Sequence, residues 1–346
     1  MSRRRRLLLL AEGRSADPHY GKTAHGVLRY RPGDVVAILD STRAGEEESG
    51  FPVVATVADS MRFGPTVALV GVATQGGRFP PAWRELLRDA IAAGLDVENG
   101  LHEFLTRDDE LVALARERGV ELRDLRLPPS GLNVPTGANL THGATTVLTV
   151  GSDCAIGKMT VSLELDREAR RRGIESRFVP TGQTGMAIAG WGIAVDAVVS
   201  DFIAGAAEQL VLEGVERGGD LLFVEGQGSL LHPAYSGVTL GLIHGSAPHA
   251  YVLCHHAGQT VVDGDERFPI PPLAALVELH ERMSLLARPA VVRGIALNTR
   301  GLDDGAARAA VAAAEAETGL PADDPVRFGA GKLVDALVPL LEREKV

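Results

Sequence analysis

The sequence predicts an α/β protein of two domains, each built on a parallel sheet, and three observations carry that reading. Short apolar, β-rich runs alternate with helical patterns. The alternation stops once, at LPPSGLNVPTGANLTHGA (Leu127–Ala144), a stretch rich in Pro, Gly and Asn without periodicity, and then it restarts. The 346 residues also exceed what one ordinary core organises. The expected division is residues 1–137 and 138–346.

In the first half, strands are expected at Leu7–Leu10, Val35–Leu39, Pro52–Val57 and Thr66–Gly71. Helices follow at Pro81–Ala93, Leu101–Thr106 and Asp109–Arg118. In the second half, strands are expected at Thr145–Val150, Ser176–Pro180, Ala197–Val199, Leu221–Val224, Ala250–Leu253 and Val291–Leu297. Helices begin near Lys158, Asp201, Pro271 and Gly305. That order gives a doubly wound sheet, with ligands at the carboxyl ends of the strands.

Composition narrows the function classes. Hydrophobic residues make up 45% of the chain and aromatics only 4%, so the core is aliphatic. A net charge of −10 argues against nucleic acid and anionic membranes as partners. The apolar run after MSRRRR ends at Glu12, too short for a signal-peptide core or a membrane span. Two cysteines, Cys154 and Cys254, make no disulfide framework. A cytoplasmic homo-oligomer acting on a small molecule is expected. Of 35 basic residues only four are Lys, at Lys22, Lys158, Lys332 and Lys345. A Lys at 158 in so Arg-rich a chain hints at a need for a compact ammonium.

That lysine closes VLTVGSDCAIGKMTVSLEL (Val147–Leu165): a buried strand, a glycine-bracketed turn and a helix. Gly151, Ser152, Asp153, Cys154, Ala155, Ile156, Gly157 and Lys158 stand as G-x5-G-K, one residue longer than the common phosphate loop. Backbone N–H groups and the helix dipole at such a turn attract an anion, and Lys158 adds a point charge. An ordinary turn with Asp153 capping the helix is the bland alternative. Met159 stands where a magnesium-binding hydroxyl is expected, and its thioether does not suit Mg²⁺. Thr160 lies about 100° further round the helix. No metal is expected here.

Other candidates lie on the same sheet edge. VEGQGSLLHPAYSG (Val224–Gly237) follows a strand; its Glu225 is a candidate base or magnesium ligand and its His232 a candidate base, against the bland reading of a solvated Glu in a Gly-rich turn. TGQTG (Thr181–Gly185) offers Gln183 and Thr184 as polar contacts, or is a simple turn. Asn298, ending a late strand, would read a purine edge or form a turn. Cys254, His255 and His256 lack zinc spacing, and neighbours on a strand face opposite ways. In the first half, Lys22, Arg43, Gln75 and His102 lie in Gly-rich or polar segments; Arg43 would clamp a carboxylate in bidentate fashion, though a solvated surface position is the default for each.

GSDCAIGKMT with VEGQGSL and IALN resembles the P-loop enzymes related to dethiobiotin synthetase. More closely, the ordered set KTAHGVLRY, LDSTRAG, TQGGRFP, GLHEFL, GSDCAIGKMT, TGQTG, VVSDFIAGAAEQL and VEGQGSLLHPAYSGVTLGLIHG looks like one bacterial and archaeal family of D-glutamate N-acetyltransferases using acetyl-CoA. The resemblance implies an N-terminal Rossmann-like domain and a C-terminal P-loop NTPase-like domain. It implies acetyl-CoA as co-substrate, its phosphates held by residues 151–160 and never cleaved. Glu225 or His232 would be the base, Gly226–Gly228 the oxyanion donors, and Arg43 with the Gly182–Gly185 loop the carboxylate contacts. The alternative is an ATP- and Mg-dependent ligase or kinase of the dethiobiotin synthetase type.

Overall fold

The computed structural model describes residues 5–17, 19–80 and 82–342. Pro81, the expected start of one helix, lies outside the described residues. The chain forms two units, one running to Pro128 and taking in Met186–Ala194, the other comprising Pro129–Gly185 and Val195 onward. The division falls nine residues before the expected 137/138 boundary, because the end of the Pro/Gly-rich stretch belongs to the second unit. There the Glu208 carboxylate accepts hydrogen bonds from Thr136 N–H at 2.7 Å and Gly137 N–H at 2.8 Å.

The first unit holds strands β1 (Leu7–Leu10), β2 (Val35–Leu39), β3 (Glu47–Glu48), β4 (Phe51–Val54), β5 (Val67–Val70), β6 (Asp96–Asn99) and β7 (Leu122–Asp124). Its helices are α1 (Lys22–Tyr30), α2 (Val57–Ser60), α3 (Trp83–Ala92) and α4 (Asp109–Arg118). The sheet order is β3-β4-β2-β1-β5-β6-β7, parallel except for the β3–β4 pair. This is a Rossmann-like order, reversing direction between β1 and β5. Four consecutive leucines suit β1 because a central parallel strand is covered on both faces, and all four are buried.

Local signals explain most boundaries. Asp108 caps α4 by accepting from Glu110 N–H and Leu111 N–H, and Gly119 ends it at φ 66°. The expected strand to Val57 stops at Val54, since Thr56 caps α2. The helix expected over Leu101–Thr106 is a single 3₁₀ turn, Leu105–Arg107. The buried Asp124 carboxylate takes its N–H donors instead, from Leu105 at 3.0 Å and Thr106 at 2.9 Å. Helix α1 and strands β6 and β7 go beyond the expected set; DVEN and LRD are too short and polar to read as strands, and only pairing makes them so.

The second unit holds β8 (Thr145–Gly151), β9 (Ser176–Val179), β10 (Leu221–Val224), β11 (Ala250–His256), β12 (Val261–Val262), β13 (Asp265–Pro269), β14 (Val291–Asn298) and β15 (Ala322–Asp323). Its helices are α5 (Lys158–Arg171), α6 (Gln183–Ala189, which begins in this unit), α7 (Ile203–Glu216), α8 (Ser236–Ser246), α9 (Leu273–Arg282), α10 (Asp304–Thr318), α11 (Gly331–Leu337) and α12 (Pro339–Glu342). The main sheet runs β15-β14-β11-β8-β10-β9, all parallel, and β12–β13 is a separate antiparallel hairpin. Its direction reverses between β8 and β11, so the loop after β8 opens at the switch point, where doubly wound sheets bind ligands.

The strand expected at Ala197–Val199 does not form. Val195–Ala197 and Ser200–Phe202 are 3₁₀ turns, and Val199 is 67% exposed. β9 is the edge of the sheet, so these β-branched residues meet no neighbouring strand. Among the described residues no helix is long and apolar enough to cross a membrane.

Candidate active site

The loop between β8 and α5 is shaped by its glycines. A Cβ on Gly151 would lie 2.7 Å from Ile156 Cδ1, and Gly157 sits at φ 112°, a conformation that only glycine adopts readily. Ala155, at φ 53°, is held left-handed without that freedom. Helix α5 has no side-chain N-cap, so its first N–H groups are left without a capping side chain, the arrangement that receives an anion.

Lys158 is 6% exposed, and its Nζ donates to the Asp153 carbonyl oxygen at 2.6 Å. Burial pushes the Lys158 pKa down. Asp153 does not cap α5. One carboxylate oxygen accepts from Cys154 N–H at 2.6 Å; the other accepts from Gln259 Nε2 and from Asp263 N–H, each at 2.6 Å. The carboxylate therefore ties the loop to the β12–β13 turn. Ser152 Oγ hydrogen-bonds His255 Nδ1 at 2.9 Å. Asn298 braces the loop too, its Nδ2 donating to the Ile156 carbonyl at 3.2 Å and its Oδ1 accepting from Arg300 N–H. Met159 and Thr160 are half-buried in the first turn of α5.

The segment after β10 packs directly on this loop. A Cβ on Gly226 would lie 1.7 Å from the Thr149 carbonyl oxygen, so no other residue fits. Gly226 N–H donates to Thr149 Oγ1 at 2.9 Å and is thereby withdrawn from the oxyanion role expected of it. Glu225, also buried, accepts through Oε2 from Thr181 N–H at 3.0 Å and Gly182 N–H at 3.2 Å. A Cβ on Gly185 would lie 2.3 Å from that same oxygen. The two glycines of TGQTG thus make room for Glu225, which clamps β10 to the start of α6. Gln227 Nε2 donates to the Thr181 carbonyl as well. Gln183 and Thr184 open α6, half-buried and buried respectively.

His232 is 8% exposed, and one of its ring nitrogens, an Asp153 carboxylate oxygen and Cys154 Sγ all lie within 4.8 Å of one another. The three residue types suit a transition ion. His232 Nδ1, however, already accepts from Ala234 N–H at 3.1 Å, whereas a ligating imidazole normally donates through its second nitrogen. Burial pushes the Cys154 thiol up to about 11 and Cys254 to about 12, so neither is a ready thiolate.

In the first unit, Arg43 is already paired. Its guanidinium reaches Glu46 at 2.8 Å, Glu48 at 3.0 Å and Ser15 Oγ at 3.1 Å, so a substrate carboxylate would have to displace those acids. The sequence reading missed Gln259 and Asp263 as loop anchors; the Asp-Gly pair Asp263–Gly264 is a hairpin signal that could have exposed them.

A Rossmann-like unit followed by a P-loop unit whose Gly-rich edge gathers Lys158, Asp153 and His232 defines a two-domain α/β protein of the P-loop class. The chain belongs to the DUF1611 family: the family's P-loop domain matches residues 133–334 and its Rossmann-like domain residues 40–128. It is 37% identical over 330 residues (95% of this chain, 97% of the relative) to a D-glutamate N-acetyltransferase of Tritonibacter scottomollicae. It is 36% identical to a D-glutamate N-acetyltransferase of a Pseudoalteromonas species over 81% of this chain and 83% of that one. A crystal structure of a DUF1611 family protein from Anabaena variabilis superposes with a TM-score of 0.88 at 42% identity, covering 97% of this chain and 99% of that one.

Proposed function

We propose that this protein is an acetyl-CoA-dependent N-acetyltransferase whose substrate is D-glutamate. The observation that carries the reading is the 37% identity, over 95% of the chain, to a D-glutamate N-acetyltransferase. The site supports it chemically. Coenzyme A bears a pyrophosphate and a 3′-phosphate that need holding but not cleaving. A loop with Lys158, and with Met159 where a magnesium-binding hydroxyl would stand, suits a phosphate used as a handle. On binding, Lys158 Nζ would exchange the Asp153 carbonyl for phosphate oxygen.

The reaction is direct acyl transfer. The substrate ammonium loses one proton, the free amine attacks the thioester carbonyl, and the carbon–sulfur bond of the tetrahedral intermediate breaks. The nitrogen then loses its second proton, the departing sulfur takes up one, and amide and free coenzyme A leave with a net release of one proton. Acceleration depends on stabilising the oxyanion of that intermediate.

The test incubates pure protein with acetyl-CoA and a panel of D- and L-amino acids and follows free thiol. Thiol release with D-glutamate in preference to L-glutamate is expected. No release with any amino acid, together with thermal stabilisation by Mg-ATP but not by acetyl-CoA, would overturn the reading in favour of the ligase or kinase class.

A further inference from the structure

We propose that His232 is a phosphate contact: its neutral ring donates Nε2–H to a phosphate oxygen held at the Gly151–Lys158 loop, and it is not the base that its residue type suggests. This rests on the reading of that loop as the seat of the coenzyme A phosphates.

The tautomer follows from one contact. Ala234 N–H is a backbone group that can only donate, and it points at His232 Nδ1 at 3.1 Å. Nδ1 must therefore present its lone pair. A neutral imidazole carries one N–H, which then sits on Nε2. To work as a base at Nε2 the ring would first have to move that proton to Nδ1, placing two donors face to face.

The ring belongs to the phosphate loop. One of its nitrogens lies within 4.8 Å of an Asp153 carboxylate oxygen and of Cys154 Sγ. Ser229 Oγ donates to the Ser152 carbonyl at 2.9 Å, and His232 N–H donates to the Ser229 carbonyl at 3.1 Å, so the segment is bonded to the loop it faces. Tyr235 backs the ring with centroids 4.5 Å apart. His232 is only 8% exposed, yet among the described residues Nε2 takes no hydrogen-bond partner. A donor so buried needs an acceptor, and here it has to come from outside the described residues. The neighbours decide its charge. The oxygens of Asp153 are already taken by Cys154 N–H, Gln259 Nε2 and Asp263 N–H. Lys158 brings a cation, and α5 begins without a capping side chain. An N–H donor beside these two favours an anion with several oxygens, which a phosphate provides.

The experiment titrates coenzyme A into the full chain by calorimetry, a measurement that needs no turnover. H232A and H232N should each raise Kd about 10–100-fold, the range of a lost hydrogen bond to a charged group. In H232N the amide oxygen can replace Nδ1 as acceptor for Ala234 N–H, so the segment keeps its tie and loses only the donor. H232Q, whose amide N–H reaches further, should bind at least about 5-fold more tightly than H232N. Nitrogen-15 NMR of histidine-labelled protein, with His232 identified by its loss in H232Q, should show a protonated Nε2 and an unprotonated Nδ1. Its Nε2 proton should move downfield when coenzyme A is added. Wild-type affinity in H232A and H232N, or an Nδ1–H tautomer, overturns the inference and leaves the acetyl-transfer reading standing. A wild type that binds no coenzyme A overturns that reading instead, and the same variants are then titrated with magnesium-free ATP. Weaker ATP binding in H232A and H232N supports the phosphate contact; equal binding, or none to the wild type, overturns it.

Discussion

Lys158 Nζ donates to the Asp153 carbonyl oxygen at 2.6 Å, so the cation of the phosphate loop is bonded to the backbone of its own loop. On the proposed acetyl-CoA reading, a phosphate would have to compete with that bond, and the loop would have to release the ammonium to it. Replacing Lys158 with Ala is expected to raise the KM for acetyl-CoA by about 1.5–3 kcal/mol in binding terms, the value of a hydrogen bond to a charged group. Lys158→Met should weaken the donor equally while leaving Tm unchanged or higher, because it removes a buried ammonium in favour of an apolar chain. Unchanged donor KM in both variants would remove Lys158 from the site.

Gly226 has no room for a side chain. Gly226→Ala places a methyl group 1.7 Å from the Thr149 carbonyl oxygen and is expected to destabilise by about 3 kcal/mol or more, read by urea unfolding. Gly143→Ala, where nothing lies within 4 Å of the new carbon, is the matched control and should be near neutral.

Acid should weaken the second unit. Burial, with Arg288 and His142 nearby, lowers His249 from 6.5 to about 4, and burial lowers His280 to about 4. Both are bases whose folded values lie below their unfolded ones, so between pH 6.5 and 4 the unfolded chain binds more protons. Stability is therefore full above pH 6.5 and falls as pH drops to 4, by up to about 3 kcal/mol for the buried His280 and by less for His249, which solvent partly screens. His249→Asn, whose amide oxygen can replace Nδ1 as the acceptor for Thr146 N–H, should flatten that limb in denaturant titrations run across pH. An unaltered slope would mean that His249 does not set it.

The hairpin Val261–Pro269 hangs on the phosphate loop through Asp153. Asp153→Ala removes the acceptor for Gln259 Nε2 and Asp263 N–H, so hydrogen exchange at the Asp263 amide should quicken about 10-fold or more, as expected for a lost charged hydrogen bond, while β8 and β11 stay protected. Equal exchange in variant and wild type would show that the hairpin is held by other contacts.

Much of the fold was readable before any coordinates. Leu7–Leu10, Val35–Leu39 and Leu221–Val224 became strands with the expected bounds, because continuous apolar runs bury themselves on both faces of a parallel sheet. The failures were segments whose state depends on distant partners. Leu101–Thr106 lost its helix to the Asp124 carboxylate, and Ala197–Val199 found no strand to pair with. DVEN and LRD became strands only by pairing within the sheet.

The candidate site divides in the same way. The shape of the strand–turn–helix loop was set by the chain alone, since Gly151, Gly157 and Lys158 lie within eight residues and glycine's freedom at φ 112° acts over a few bonds. What each polar side chain does was decided only in three dimensions. Glu225 turned out to clamp Thr181 and Gly182, Asp153 to hold the turn at Asp263, and His232 to reach the loop with one nitrogen already taken by Ala234. Most of these contacts join residues tens of positions apart. A hydrogen bond's direction, and with it the proton's place on an imidazole, is set by whichever donor the folded chain brings within about 3 Å.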